Sequence, residues 1–339
     1  MSVIRPDLPL IDLHRHLDGS VRLETILEVG LEYGLPLPAR DLEGLRPFVQ
    51  VTTPEPDILA FFTKFKWQVG ILVNDDVCRR VAYENVQDAQ REGIDYIELR
   101  FSPVFMAESH ELDPSGVVAA VVDGVAAGQR DFGVRTNLIG IISRTYGPKM
   151  GQKELAALLT QRDHLVALDL AGDEKNFPGE WFVEHFKRGR EAGWAVTVHA
   201  GEAGGSTAVW QAIRELGATR IGHAVRAVDD PALMDYLAEN RIGVETNLTS
   251  NVQTSTVPGY ASHPLKAMLE HNILATINTD DPGISAIDLP SEYRVAVEKS
   301  GLSLAQVAQA QQNALEIAFL TSSEKAALQN KKRLSGRPS

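Results

Sequence analysis

Residues 8–19 read LPLIDLHRHLDG, a short apolar run that leads directly into two histidines and an aspartate. The apolar part, Leu8–Leu13, has the length and composition of a strand that is buried on both faces. Alternate residues of a strand point to the same side, so His14 and His16 can project together from its carboxyl end. The stretch therefore predicts a buried strand that carries a pair of imidazoles at its end.

Seven further apolar runs of this kind recur along the chain. They are Tyr96–Phe101, Thr136–Ile142, Val166–Leu170, Ala195–Val198, Arg220–Gly222, Ile242–Glu245 and Leu274–Asn278. Amphipathic stretches such as 178–192, 206–216 and 231–240 lie between them. Strands that alternate with helices pair in parallel through right-handed crossovers. Eight such units predict an α/β protein folded as a closed (β/α)8 barrel of the TIM type.

The long segment between the first two runs, residues 21–93, predicts extra helices at that point. An open, doubly wound sheet is the alternative for the same alternation of strands and helices. The barrel is favoured because polar residues follow runs that are spread over the whole chain, which suits a site ringed by barrel loops. We expect one barrel domain over residues 1–330 and a frayed basic tail over residues 331–339.

Composition excludes several classes of protein. Of the 339 residues, 44% are hydrophobic and 23% are charged, which is typical of a globular protein with a sizeable core. The net charge of −12 argues against a nucleic-acid partner. Cys78 is the single cysteine, so neither an internal disulfide nor a thiolate metal cluster can form, and its helical context favours a packing role. Without a signal sequence or a membrane-length apolar segment, we expect a cytoplasmic protein with no obligate protein partner.

Three later runs also end in histidines or carboxylates. His199 and Glu202 follow the fifth run, His223 follows the sixth, and Asp280 and Asp281 follow the eighth. Neutral imidazoles and carboxylates are natural zinc ligands, and parallel strands bring them to one end of a barrel. Four residues together predict a site for one zinc ion: His14, His16, His199 and Asp280.

The other polar residues at these strand ends admit two interpretations each. Glu202 is suited to take a proton from a zinc-bound water, although a solvated acid at a helix start would look the same. His223 is a fourth histidine at the same barrel end, which suits a role in the site. It could equally be a structural histidine, because three histidines and one acid already complete the metal shell. Asp281 would be free to contact a substrate, whereas propensity alone explains residues 280–283 as a turn.

The segments that carry these residues resemble the adenosine deaminase family of zinc-dependent barrel hydrolases, and most of all its bacterial members. The matching segments are 14–19, 98–103, 169–174, 199–202, 221–223, 248–251 and 278–283. They follow the family's order and span nearly the whole chain. The resemblance implies hydrolysis of adenosine and 2′-deoxyadenosine to inosine or deoxyinosine and ammonia, in purine salvage.

The resemblance also implies a role for each site residue. Zinc would be held by His14, His16, His199 and Asp280, with Glu202 as proton carrier and His223 stabilising the attacking hydroxide. The substrate contacts would be Asp281 to N7 of the purine, the backbone N–H of Gly172 to N3, Asp18 to the ribose hydroxyls, and His16. Residues 61–65 resemble the helix that closes an apolar wall over the ribose, with plain helix core as the alternative.

One residue departs from the family pattern. Ala224 stands where the family usually has glycine. We expect its methyl group to shift the backbone of the loop that carries His223 slightly.

Rival functions remain open at this point. Deamination of free adenine or of a modified adenosine is one. Family members that act on the free base look to carry a longer glutamate where this chain has Asp18, which favours a nucleoside substrate. A catalytically silent nucleoside-binding protein is another, and it would have no use for Glu202. An amidohydrolase acting on amides or phosphoesters lacks a candidate carboxylated lysine, and a deaminase of the cytidine type needs more cysteines.

Overall fold

Eight parallel strands, hydrogen-bonded in the order of the sequence, form the centre of the computed structural model, which describes residues 3–335. The strands are β1 (Ile11–His16), β2 (Tyr96–Phe101), β3 (Arg135–Ser143), β4 (Leu165–Ala171), β5 (Ala195–Ala200), β6 (Arg220–His223), β7 (Gly243–Thr246) and β8 (Leu274–Ile277). All seven neighbouring pairs from β1–β2 to β7–β8 are parallel.

The first and last strands close the sheet on itself. Arg15 and Asp280 form a parallel bridge. Around it, the N–H of His16 donates to the carbonyl of Asp280 at 2.8 Å, and the N–H of Asp280 donates to the carbonyl of His14 at 2.8 Å. The predicted (β/α)8 barrel is therefore confirmed, and the open doubly wound sheet is excluded.

Seven predicted strands agree with the structure to within two residues at either end, but the first is displaced. The predicted run was residues 8–13, whereas β1 covers Ile11–His16. Residues ahead of β1 are tied instead to a distant glutamine: the side-chain amide of Gln311 donates to the carbonyls of Leu8 at 3.0 Å and Pro9 at 3.2 Å. His14 and His16 consequently lie within the strand rather than after it.

Seventeen α-helices surround the barrel within residues 3–335. They are α1 (Leu23–Glu32), α2 (Leu42–Val49), α3 (Ile58–Phe62), α4 (Phe65–Val69), α5 (Asp75–Arg91), α6 (Pro103–Glu108), α7 (Pro114–Phe132), α8 (Gly147–Leu159), α9 (Val183–Glu191), α10 (Ser206–Gln211), α11 (Pro231–Glu239), α12 (Leu248–Gln253), α13 (Leu265–Glu270), α14 (Pro282–Ser285), α15 (Leu289–Glu298), α16 (Leu304–Ile317) and α17 (Ser322–Ser335). The first five occupy the segment 21–93 for which extra helices were predicted. The predicted amphipathic stretches contain α9, α10 and α11.

Local sequence explains where several of these helices begin and end. The side chain of Asn74 accepts a hydrogen bond from the N–H of Val77 at 3.0 Å and so caps the start of α5. Asp288 and Ser303 form capping boxes at the starts of α15 and α16. At the other end of a helix, Gly133 takes a left-handed conformation, with φ of 69°, directly after α7.

The interior of the barrel contains a column of paired charges instead of the aliphatic layers usual in such barrels. Arg220 donates to Glu98 at 2.5 Å and also to Glu245. Arg100 donates to Glu245 at 2.6 Å and to Asp169 at 2.8 Å. All five side chains are fully or almost fully buried, so each charge depends on its partners for stabilisation.

Two other predictions concern the outer layers of the fold. Cys78 is fully buried on α5, and burial raises the pKa of its thiol to about 12, which fits the predicted packing role. No helix among the residues that the structure describes is long and apolar enough to cross a membrane.

The predicted boundary between domain and tail at residue 330 falls inside α17, which continues to Ser335. Residues 336–339 of the predicted tail lie outside the described residues. The division of the chain stays a prediction.

Candidate active site

The carboxyl ends of four strands bring buried histidines and aspartates to one point. His14 and His16 come from β1, and His199 and His223 come from β5 and β6. Asp280 follows β8. The Nε2 atoms of His16 and His199 are 3.1 Å apart, and Oδ1 of Asp280 lies 3.1 Å from Nε2 of His14 and 3.4 Å from Nε2 of His16.

These separations fit donors arranged around one metal ion. Ligand atoms about 2.1 Å from a tetrahedral ion are about 3.4 Å from one another. Within the described part of the chain, Nε2 of His14 makes no hydrogen bond of normal geometry although it is buried. A buried polar atom without a partner is costly, and a metal ion would satisfy it. Although burial lowers the pKa of His16, neighbouring carboxylates raise it to about 9. The surroundings therefore favour a positive charge at this point, which a metal ion can supply in place of the proton.

One set of donor atoms includes a histidine that the metal prediction leaves out. Ligand atoms of His14, His199, His223 and Asp280 all lie within 4.8 Å of one another. His16 belongs to an adjoining set with Asp280 and Asp281. His16 and His223 thus face the same centre, and the assignment of the metal ligands stays a prediction.

Two carboxylates deeper in the barrel hold two of these imidazoles in place. Glu245 lies 2.6 Å from Nδ1 of His14, and Asp169 lies 3.0 Å from Nδ1 of His199. Each carboxylate accepts the Nδ1 hydrogen, which leaves Nε2 free for the metal centre. Burial, helped by Arg100, lowers the pKa of His14, and burial lowers that of His199 well below its usual value. Both imidazoles are therefore neutral, as ligands must be.

Glu202 lies beside the donor cluster, in the loop after β5. Its carboxylate accepts a hydrogen bond from the side-chain amide of Asn251 at 3.3 Å and lies 3.5 Å from Nδ1 of His223. Burial, together with the charges of Asp280 and Glu174, raises the pKa of Glu202 well above its ordinary value. A carboxyl group in such surroundings can keep a proton at neutral pH and deliver it to a substrate.

His223 and Ala224 both adopt left-handed backbone conformations, with φ of 63° and 50°. This conformation costs a residue with a Cβ about 1–2 kcal/mol. The methyl group of Ala224 is fully buried in the core. The backbone N–H of Ala224 donates to the carbonyl of Gly222 at 2.9 Å. His223 remains 3.0 Å from the amide of Asn251, so the alanine leaves it within the cluster.

The adjacent aspartates have opposite ionisation behaviour. Burial opposes the charge of Asp280, yet His223 and His14 hold its pKa well below the ordinary value. Burial and the charge of Asp280 raise the pKa of Asp281 well above it. Oδ1 of Asp281 has no hydrogen-bond partner among residues 3–335. A Cβ at residue 19 would lie 1.8 Å from that oxygen, so only glycine fits at Gly19.

A cavity of about 260 Å³ opens in front of the cluster. The predicted substrate-binding residues line it: His16, Asp18, Gly172 and Asp281. Asp18 accepts a hydrogen bond from the N–H of Ser102 at 3.2 Å. The opposite wall is apolar and is formed by Ile58, Phe61, Phe62, Phe65 and Phe105. Three of these come from the 61–65 stretch.

The structure brings all nine predicted site residues to this end of the barrel, with His14 behind the cavity wall. Four residues that contact the site residues have no role predicted from the sequence: Asp169, Glu245, Asn251 and Glu174. A charged residue inside an apolar run indicates a carboxylate in the barrel interior. Glu245 in the run 242–245 and Asp169 in the run 166–170 are both of this kind.

A parallel barrel whose carboxyl end gathers neutral imidazoles and carboxylates in front of a small-molecule cavity defines a metal-dependent hydrolase. A family model described as adenosine deaminase matches residues 9–332. An adenosine deaminase of Vibrio parahaemolyticus is 60% identical over 329 residues, which cover 97% of this chain and 98% of that protein. The chain therefore belongs to the adenosine deaminase family.

Solved structures share the fold at lower identity. An adenine deaminase from Arthrobacter aurescens superposes with a TM-score of 0.89 at 24% identity, covering 97% of this chain and 99% of that chain. An amidohydrolase from Burkholderia ambifaria, solved with bound Zn, gives a TM-score of 0.87 at 25% identity, covering 98% and 91%. Both are similar to this chain over nearly its whole length.

The inner carboxylates generate a prediction about metal affinity. In Asp169→Asn the side-chain amide N–H would donate to Nδ1 of His199. The imidazole hydrogen would then lie on Nε2, the atom that faces the metal centre. We expect metal affinity to fall about 10- to 100-fold, measured by competition with a chromophoric chelator. Glu154→Gln is the control, because Glu154 is a buried carboxylate that bonds Ser102 and the N–H of Ser143 instead of a histidine. Equal affinity in Asp169→Asn and wild type would contradict this role.

Proposed function

We propose that this chain hydrolyses adenosine and 2′-deoxyadenosine to inosine or deoxyinosine and ammonia, in purine salvage, with one zinc ion. The observation that carries the proposal is the buried carboxyl group of Glu202, which lies between the donor cluster and the cavity. A protein that only bound nucleosides would have no need for a proton carrier there. A cytoplasmic location belongs to the proposal, and so does the absence of a nucleic-acid partner, which the net charge of −12 supports.

Zinc would be held by His14, His16, His199 and Asp280. Nitrogen donors with one carboxylate suit zinc better than magnesium or calcium, which prefer oxygen ligands. The bound Zn of the similar amidohydrolase supports the same choice. When bound, zinc lowers the pKa of a coordinated water to about 7 and so supplies the nucleophile.

Glu202 would accept the proton of the attacking water and donate it to N1 of the purine. Protonation of N1 draws electrons from C6, which makes that carbon a better electrophile. His223 would donate a hydrogen bond to the oxygen that adds to C6. The side-chain amides of Asn251 and Asn247 lie 3.0 and 3.2 Å from Nδ1 of His223, and donation from them leaves the imidazole hydrogen on Nε2.

The remaining residues would orient the nucleoside. Asp281, kept protonated by burial and by the charge of Asp280, can donate a hydrogen bond to N7. The N–H of Gly172 would donate to N3. Asp18 would contact the ribose hydroxyls, and His16 would also touch the bound nucleoside. The phenylalanine wall would exclude water from the reacting ring.

The first test is metal dependence together with substrate identity. Purified protein should contain about one zinc per chain and convert adenosine to inosine, followed by the change in ultraviolet absorbance. Prolonged chelation should abolish turnover, and added zinc should restore it. A preparation that is metal-free and fully active would refute the proposed function.

The second test concerns Glu202. Glu202→Gln keeps the size of the side chain but cannot exchange protons, so we expect kcat to fall by about 10⁴ or more, at the top of the range for acid–base groups. Zinc content and affinity for the product inosine should stay at wild-type values. The exposed Glu184→Gln is the control. Loss of zinc would make Glu202 a ligand, and near-normal turnover would remove it from the mechanism.

The third test concerns Asp18 and the choice between nucleoside and free base. Removing a charged hydrogen-bond acceptor from the ribose should lower kcat/KM for adenosine about 10- to 100-fold in Asp18→Ala, with far less effect on any residual turnover of adenine. Asp18→Glu should also disfavour adenosine, because a longer acid fills the space of the ribose. If kcat/KM falls equally for adenosine and adenine, Asp18 supports the loop instead of contacting the ribose.

A further inference from the structure

The loop after β5 is fastened by a carboxylate from the loop after β4. Oε1 of Glu174 accepts a hydrogen bond from the N–H of Gly201 at 2.6 Å. Its Oε2 accepts from the N–H groups of Glu202 at 3.1 Å, Ala203 at 2.9 Å and Gly204 at 2.8 Å. One buried side chain therefore satisfies four consecutive backbone donors. No such contact is needed for the barrel itself, since this loop lies beyond the strand.

The loop is shaped to receive that carboxylate. Gly201 takes a left-handed conformation, with φ of 71°, which starts the turn. A Cβ at Gly204 would lie 2.7 Å from Oε1 of Glu174, so glycine leaves the space that the carboxylate fills. At the next residue, Gly205, a Cβ would meet only the hydroxyl of Thr207 at 3.7 Å. The close fit is confined to the residues that bind Glu174.

We propose that Glu174 is a positioning residue for the reaction: it fixes the backbone of residues 201–204 so that the Glu202 carboxyl group faces N1 of the purine. This inference rests on the proposed function of Glu202. Charge-assisted bonds to backbone N–H groups are short and directional, and four of them leave the loop little freedom.

The same contact ties together the two loops that would hold the purine. Gly172, the proposed donor to N3, lies two residues before Glu174. The N–H of Asp173, between them, donates to the hydroxyl of Thr145 at 3.0 Å. N1 and N3 belong to one six-membered ring, so the distance between their two partners must be constant. Glu174 is the side chain that sets this distance.

The first experiment replaces the carboxylate. In Glu174→Gln the new amide group would oppose at least one backbone N–H of the loop. A displacement of about 1 Å at a reacting group costs up to about 100-fold in rate, so we expect kcat per zinc-loaded chain to fall about 10- to 100-fold while KM for adenosine changes less than about 3-fold. Glu324→Gln is the matched control, because Glu324 accepts a backbone bond from Thr321 at 2.7 Å at a remote helix start. Unchanged kcat in Glu174→Gln would overturn the inference.

The second experiment approaches the contact from the other side and remains available if Glu174→Gln does not fold. Gly204→Ala places a methyl group against Oε1 of Glu174, whereas Gly205→Ala places the same group in ordinary contact with the hydroxyl of Thr207. We expect the first variant to lose kcat with little change in KM and the second to match wild type. Equal kcat values in the two variants would overturn the inference.

A double-mutant cycle separates positioning from general structural support. If Glu174 acts through Glu202, adding Glu174→Gln to Glu202→Gln should cause no further loss of kcat. A full additional loss would show that Glu174 acts independently and would overturn the inference. The proposed function fails on a different result, namely normal turnover in Glu202→Gln alone, so the two failures are distinguishable.

Discussion

The site depends on the hydrogen bonds by which the carboxylates of Glu245 and Asp169 hold the neutral imidazoles of His14 and His199 inside the barrel. A charge buried without a partner would cost several kcal/mol, and here every charge has at least one. Arg100 bridges the two carboxylates, and Arg220 links Glu245 to Glu98 below them. The column thus fixes two imidazoles from beneath, with their Nε2 atoms directed toward the open end. The strands around it supply the low dielectric that makes these contacts strong.

Much of the architecture could be predicted because the signals are local. Eight apolar runs with helical stretches between them indicate the barrel, and the histidines and aspartates stand at the ends of those runs. The start of β1 could not be predicted in the same way, because Leu8 and Pro9 are held by Gln311 from the far end of the chain. Glu174 and Asn251 were missed for a similar reason. A glutamate in a polar loop has no sequence signal for the backbone donors that it will meet.

Two neighbouring carboxylates at the end of β8 show how backbone conformation divides chemical tasks. Asp280 adopts a left-handed conformation, with φ of 64°, and faces the imidazoles, which favour its charged form. Asp281 faces the cavity near the glycine at residue 19, where burial and its neighbour's charge favour the protonated form. One residue would therefore bind a cation while the next donates a proton in a hydrogen bond. The sequence predicts separate tasks for the two residues, but the backbone conformation and burial that give them opposite ionisation come from the fold.

The seam between β1 and β8 has a consequence for biosynthesis. The ribosome makes His14 and His16 near the beginning of the chain, but Asp280 emerges only after seven strands have been translated. Until β8 pairs with β1, the donors from the two ends remain apart, and a nascent chain has no complete centre to capture an ion from its surroundings. If Asp280 binds the metal ion as proposed, a chain whose barrel has not closed would lack one ligand of the complete set, and so would a truncated product without β8.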